Sequence, residues 1–511
     1  MRSLVLLLAL AGVASAQQVT PIQFGDGVTV SDAIYTDIDG DGRTDLAIST
    51  RRPERALQIH LQQKSGVPFR SAPDYELAPV YNDAVVFTIA DVHPDRGKEV
   101  VLFSAKGVFV WRPIGGEKER AAKLVDCEFL WQLPFSTLVA WPDGVRDVNN
   151  DALPDLIVPE PDGYRIILQT ARGTFGAPQE IYIPAGPEAM GRGDMRSRSR
   201  RRRMVQKYSS RVQIGGGGEL VQRLTGPLVD VSDRVPAPQL VDWDADGDLD
   251  VVVRTVKYLH VFTQDAEGKF GTSPAVSRRM PVVADRKRRL EVSYSAHTLD
   301  LDRDQRADCV IFSGDQRSKE VRTQVQFFTQ SGGRALFGEK GMPDQLLVFS
   351  GFAGIPRFDD VNGDGYPDLF AGAIRPDLLD TIRGDSSRTL DAELYVFLSR
   401  KGRFARTPDL LYRSKFEVEG MRPSRRATVI RFFGDVTGDG MKDLLLRDSA
   451  TSLKVMMTRR TNDGLEIISK PLYTLRVEKN AGVRYGPSRG KRKAPDLIVL
   501  EDKQVLHVRF P

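Results

Sequence analysis

The sequence predicts an all-β chain arranged as a ring of repeated blades, and three observations carry that prediction. One Asp/Gly-rich loop pattern recurs eight times at a near-constant interval. The clear copies run directly into an apolar, β-branched stretch, such as Asp250-Val-Val-Val-Arg254. The two ends of the chain also complement each other as parts of one repeat unit.

The loop is clearest at Asp37-Ile38-Asp39-Gly40-Asp41-Gly42-Arg43-Thr44-Asp45. Carboxylates stand at positions 1, 3, 5 and 9, and a glycine at position 6 permits the positive φ that the turn demands. The frame returns as Asp147/Asn149/Asp151/Asp155, Asp242/Asp244/Asp246/Asp250 and Asp300/Asp302/Asp304/Asp308. It returns again as Asp360/Asn362/Asp364/Asp368 and Asp435/Thr437/Asp439/Asp443. Ca²⁺ takes six to eight oxygen ligands, and alternate residues of a tight loop can aim their side chains at one point. These residues, with Asp37, Asp39, Asp41 and Asp45, are therefore the candidate ligands of about six calcium sites.

An EF-hand begins the same way but needs a bidentate Glu at position 12 and flanking helices. Position 12 here is Ile48, Val158, Val253, Ile311, Ala371 and Leu446, all apolar and within β-rich runs, so the loop is expected to join two strands. Two copies are degraded. Asp91-Val92-His93-Pro94-Asp95 with Glu99 keeps the spacing, with His93 a possible odd ligand, whereas the last copy keeps only Asp496 and is expected to retain the blade without the ion.

Position 9 falls at residues 45, 99, 155, 250, 308, 368, 443 and 496, which makes the unit about 55 residues with two insertions. A period in this range with strands inside each unit indicates a propeller of four-stranded blades. In the fourth unit the strands are expected at 240–242, 250–254, 258–263 and, outermost, 273–283. After Asp496 there is room for two strands only, 497–500 and 504–510. The stretch 19–24 can supply the missing outer strand and close the ring, which removes exposed sheet edges. Eight loops give eight blades; seven remain if the second or last copy is an embellishment.

On these residues the chain resembles the FG-GAP/VCBS-repeat propellers, the group that includes the integrin alpha head and many secreted bacterial proteins. The Asp-x-Asp-x-Asp-Gly-x-x-Asp-Leu loops carry the likeness over almost the whole of residues 17–511. The resemblance implies that calcium in these loops stabilises each blade and that the opposite face binds a partner. Clean Phe-Gly and Gly-Ala-Pro boxes are missing, with Phe175-Gly176-Ala177-Pro178 the nearest approach, and this leaves the choice of partner open.

The N-terminal residues lead to the expectation of an exported protein. Residues 1–16 read as a secretory signal: Arg2, an apolar stretch from Leu4 to Val13, then Ala14-Ser15-Ala16. No segment reaches the roughly 20 apolar residues a membrane span needs. Cys127 and Cys309, the only cysteines, are expected to be unpaired core residues. The formal charge is +5.

The two insertions, about 184–236 and about 375–392, belong on the face away from the calcium loops, where long loops on a rigid ring usually carry function. The first holds Arg196, Arg198, Arg200, Arg201, Arg202 and Arg203, and the link Arg286-Lys287-Arg288-Arg289 falls on the same face. An acidic glycan or an extracellular protein is the expected partner, in preference to nucleic acid. The bland reading is a solvated basic loop.

Enzyme signals are thin: His-Glu-x-x-His, Gly-x-Ser-x-Gly and a phosphate loop are all missing. His60, His260 and His507 occupy much the same point of the third strand in their units, which marks them as packing residues. Trp111, Trp131, Trp141 and Trp243 read as core. The function expected is a secreted, non-catalytic, calcium-binding interaction module. The alternative is a calcium-dependent polysaccharide lyase on the same ring, for which a Lys/Arg/Tyr cluster at the central channel would be the mark.

Overall fold

Each blade forms because its second and third strands carry apolar residues that are buried between neighbouring blades. In blade 1 the strands are Val30–Thr36, Asp45–Thr50, Ala56–His60 and Tyr75–Leu77, hydrogen-bonded in that order as an antiparallel meander. Every residue of Asp45–Thr50 is buried. Leu46 and Ile48 face the closing blade, and Ala47 packs with Phe87 and Leu102 of blade 2. This alternation of faces is the period-2 rule of a strand buried on both sides.

The same four-strand order recurs around the molecule, so the chain is an eight-bladed β-propeller, as its repeat predicts. This computed structural model describes residues 17–510 with breaks, the longer of which are 127–137, 185–206, 222–227, 280–293, 316–321, 331–341, 375–388 and 418–429. Residues 1–16, Cys127, Trp131, the basic runs 196–203 and 286–289, and most of the second insertion lie outside the described residues. No helix among the described residues is long and apolar enough to cross a membrane.

Closure follows the expected route. Gln18–Gln23 pairs antiparallel with Gln504–Arg509, setting Gln18 opposite Arg509 and Gln23 opposite Gln504. The first strand of the chain thus completes the last blade, beside Ala494–Leu500 and Gly482–Arg489. First strands of the blades are innermost, because those of neighbouring blades touch one another: Val30–Thr36 meets Gly482–Arg489 on one side and Ala84–Ala90 on the other.

Two features differ from the sequence reading. The outer strand of blade 4 is described over Val276–Arg279 and starts three residues later than the expected 273–283, whose residues 280–283 lie outside the described residues. The first insertion also holds a sheet of its own, with Lys207–Ile214 central, antiparallel to Gly218–Val221 and parallel to Leu228–Val235. Short apolar alternation in those segments was hidden by the surrounding Arg and Gly.

Candidate metal centres

Each Asp/Gly loop joins the first strand of its blade to the second, and the second strand begins on position 9: Asp45, Glu99, Asp155, Asp250, Asp308, Asp368 and Asp443. The loop is built by its own carboxylates. Position 1 caps the turn, as where Asp242 accepts the Ala245 amide at 2.7 Å and the Gly247 amide at 3.1 Å. Position 5 accepts the amide two residues on, with Arg43 to Asp41 and Leu153 to Asp151 both at 2.8 Å, and Met441 to Asp439 at 2.9 Å. Positions 4 and 6 both take left-handed backbone, φ 71° and 82° at Gly40 and Gly42. In blades 3 and 5 non-glycine residues hold these angles: Asn150, Ala152, Arg303 and Gln305.

Position 9 plays a different part. Asp250 accepts the Trp243 amide on Oδ2 at 2.9 Å and the Gln264 amide on Oδ1 at 3.2 Å. Asp155 does the same with Val148 and Gln169, each at 2.8 Å, and Asp45, Asp308, Asp368 and Asp443 repeat it. All of these carboxylates are buried. They pin the loop to the residue two places past the third strand. Burial pushes Asp45 and Asp155 up to about 6, and Asp250, Asp308, Asp368 and Asp443 up to about 7, against the amide hydrogen bonds that pull the other way. A buried carboxylate of this kind stays ionised more readily beside a cation.

The side chains at positions 1, 3 and 5 converge in three of the six loops. In Asp37/Asp39/Asp41, Asp242/Asp244/Asp246 and Asp300/Asp302/Asp304, one oxygen from each residue lies within 4.8 Å of the others. Burial, followed by the neighbouring loop carboxylates, raises Asp39, Asp244 and Asp302.

The other three loops differ from these in the side chain at position 3. Asp147 with Asp151, Asp360 with Asp364, and Asp435 with Asp439 belong to no cluster of three carboxylates among the described residues. The physical reason is position 3, which is neutral there and donates inward: Asn149 to Asp151 at 3.0 Å, Asn362 to Asp364 at 2.9 Å, Thr437 to Asp435 at 3.3 Å. In blade 7 the departure goes furthest. Asp435 Oδ1 takes the Thr437 hydroxyl together with the Gly438 and Asp439 amides, at 2.6 and 3.2 Å, and Asp439 Oδ1 is taken by the Met441 amide. Asp439 makes the same turn bond as Asp41, so what sets blade 7 apart is Thr437, which leaves two carboxylates at positions 1, 3 and 5 where blades 1, 4 and 5 have three. Asn149 Oδ1 and Asp360 Oδ1, by contrast, are buried oxygens with no hydrogen-bond partner. Hard oxygens, crowded negative charge and orphaned acceptors fit a hard divalent cation.

The two degraded copies are filled by protein groups. In blade 2, Arg112 Nη1 lies 2.8 Å from Asp95 Oδ2, Arg172 Nη1 lies 2.7 Å from Asp91 Oδ1, and His93 Nδ1 lies 3.2 Å from Asp95 Oδ2. In blade 8, Asp496 Oδ2 accepts the Tyr35 hydroxyl at 2.8 Å and lies 2.8 Å from His507 Nε2, all three buried. Burial raises the Asp496 carboxyl, but His507, Tyr35 and Arg509 outweigh it and hold the group below its usual value.

His60 and His260 are buried in third strands and belong to none of the three clusters, with Nδ1 against the Arg70 carbonyl at 3.1 Å and the Ser277 hydroxyl at 2.9 Å. Trp111, Trp141 and Trp243 are core residues, and Cys309 is buried and unpaired. The sequence reading missed a run of glutamines two residues past the third strand. Gln169, Gln264 and Gln330 each send Nε2 to a position-2 carbonyl of the preceding blade's loop, Val92, Val148 and Trp243, at 2.7, 2.7 and 2.9 Å. Aligning the units on the third strand would have found them.

The chain matches no protein-family model and no curated protein. Among solved structures it is similar to an Agrocybe aegerita lectin that recognises non-reducing terminal N-acetylglucosamine, with 14% identity, 96% of this chain and 98% of that one covered, and a TM-score of 0.39. It is also similar to Sqt1 from Chaetomium thermophilum, with 12% identity, 97% and 100% covered, and a TM-score of 0.44. A third is the Dos1 propeller, with 8% identity, 96% and 95% covered, and a TM-score of 0.40. The eight-bladed ring itself rests on this chain's own strand order.

Proposed function

We propose that the protein is an exported, calcium-stabilised propeller of the FG-GAP/VCBS type that acts as a binding module for an extracellular protein or an acidic glycan. The observation that carries the calcium reading is the convergence of positions 1, 3 and 5 in three loops, with the orphaned oxygens of Asn149 and Asp360 in two others. The basic residues 196–203 and 286–289 are the proposed contact for an acidic partner, through charge that salt would screen.

Native mass spectrometry in excess calcium should count about six ions, and a chelator should lower the melting temperature by more than about ten degrees. The scale follows from mass action, roughly 2.7 kcal/mol per site at a hundredfold excess over the dissociation constant. A melting curve unchanged in chelator would sink the calcium reading. The partner surface is tested separately: with Arg200, Arg201, Arg202 and Arg203 replaced by Ser, the protein should leave a heparin column at lower salt with its melting temperature unmoved.

A further inference from the structure

Residue 17 lies at the seam between blades 7 and 8. Val19 stands opposite Val508, which packs in the core shared by those two blades. Strand alternation, carried one residue past Gln18, puts residue 17 on the same face. Gln17 accordingly crosses to blade 7: its side-chain Nε2 lies 3.5 Å from the Thr474 carbonyl on Tyr473–Arg476, the outer strand of that blade. Gln17 is half-buried there.

A small cavity opens beside it, walled by Gln17 with Leu453, Tyr473 and Leu475 of blade 7 and Val508 and Phe510 of blade 8. Tyr473 and Phe510 meet across it, their ring centroids 5.4 Å apart. None of the described residues that line the cavity is Asp, Glu, Lys, Arg or His. The Asp496–Arg509 pair belongs to the other face of blade 8, where Asp496 also accepts the Tyr35 hydroxyl of blade 1. At ≈ 10 Å³ the cavity has room for about one water, so it takes no separate ligand. Its occupant has to be a group already attached at residue 17.

Export, the reading on which this inference rests, ends the signal at Ala16 and leaves Gln17 as the new terminus. Its α-amino group would then be an ammonium at neutral pH. An ammonium against an apolar wall loses hydration, and no carboxylate of that wall replaces it. We propose that Gln17 is a modification site: its α-nitrogen attacks its own side-chain Cδ, and the resulting pyroglutamate caps the seam of blades 7 and 8. The N–Cδ bond forms, the Cδ–Nε2 bond breaks, and Nε2 leaves as ammonia with a proton from the amine. No oxidant, water or other co-reactant is consumed. The product is a neutral lactam whose methylenes suit the apolar wall, and it removes the terminal charge without adding an atom.

The test takes the full chain, signal included, from a host that exports it. Free amines on the folded, calcium-loaded protein are methylated before digestion, so that cyclisation during workup is not counted. The N-terminal peptide is then read by tandem mass spectrometry. It should begin at residue 17, carry no methyl on its terminus and be lighter than the glutamine form by one ammonia. The exported variant Gln17→Asn has an amide too short to close this ring. It should carry the methyl label and melt about one or two degrees below the parent near about pH 6.5. That gap should narrow above about pH 8, where the variant's amine loses its charge. A methylated Gln17 terminus overturns the modification and leaves export standing. A terminus at any other residue overturns the cleavage that export requires, and this inference with it. A cyclised parent that melts with the variant at every pH overturns the ring's part in holding the seam.

Discussion

Gln264 donates from Nε2 to the Val148 carbonyl at 2.7 Å and to the Leu249 carbonyl at 2.6 Å, and so ties blade 4 to the Asp/Gly loop of blade 3. Its backbone amide is held in turn by Asp250. One position-9 carboxylate therefore fixes its own loop, its own third strand and, through the glutamine, the loop next door. Backbone bonds reinforce the chain of loops, with the Lys98 amide on the Ile38 carbonyl at 2.6 Å and the Lys442 amide on the Val361 carbonyl at 2.8 Å.

Replacing Gln264 with Leu should therefore loosen the junction of blades 3 and 4. Volume is kept, but two buried carbonyls lose a donor, a loss of about 1–2 kcal/mol. Denaturant unfolding should show that loss in chelator as well as in calcium, since the clamp acts on the fold. An unchanged midpoint would mean that water replaces the amide without cost.

Positions 5 and 9 should separate in the same way. Asp246→Asn removes one of three converging carboxylates and should weaken calcium binding while leaving the chelated protein's stability nearly unchanged. Asp250→Ala strands two buried amides, Trp243 and Gln264, and should cost about 2–4 kcal/mol with or without calcium. Equal losses for both variants in chelator would show that the two positions share one role.

The ring, its closure by residues near 19–24 and the placement of each loop before a second strand were legible in the sequence, because they follow from repeat spacing and apolar runs. Ligand roles were less so. Spacing alone makes Asp45 equivalent to Asp37, whereas burial and the amides of Ile38 and Gln62 set it apart. Spacing likewise makes Asp439 equivalent to Asp41, although only Asp41 has two further carboxylates converging beside it. The Arg112–Asp95 and Arg172–Asp91 pairs in blade 2 join residues from different hairpins, and Arg172 comes from the next blade. The meeting of Arg431 and Tyr485 depends on how two blades pack, which no local pattern encodes.

Blades 3 and 5 carry avoidable strain. Gln305 holds φ 68° and Ala152 holds φ 65° at position 6, where Gly42 and Gly247 stand in blades 1 and 4. A left-handed conformation costs an L-residue about 1–2 kcal/mol, partly offset by the freedom glycine adds to the unfolded chain. Gln305→Gly and Ala152→Gly should each raise stability by roughly 0.5–1 kcal/mol. The Asp300 and Asp147 carboxylates that cap these turns keep their amide donors in both variants. A decrease in unfolding midpoint for both would show that the side chains make contacts that outweigh the strain.

His260 supplies a pH test that is independent of calcium. It is 3% exposed, its Nδ1 lies 2.9 Å from the Ser277 hydroxyl, and burial lowers its pKa from 6.5. The unfolded chain therefore takes up a proton at this residue before the folded one does. Its contribution to stability is intact above about pH 6.5 and is lost as pH falls through the lower folded value, by up to about 1.4 kcal/mol per pH unit. Other titrating groups cancel when the parent is compared with His260→Gln, which has no proton to gain. At pH 7.5 the variant should be the less stable of the two, because it disturbs a packed site. Between pH 6.5 and 5 the gap should narrow steadily as the parent alone is penalised. A gap that stays constant across that range would mean that His260 titrates alike in the folded and unfolded chains.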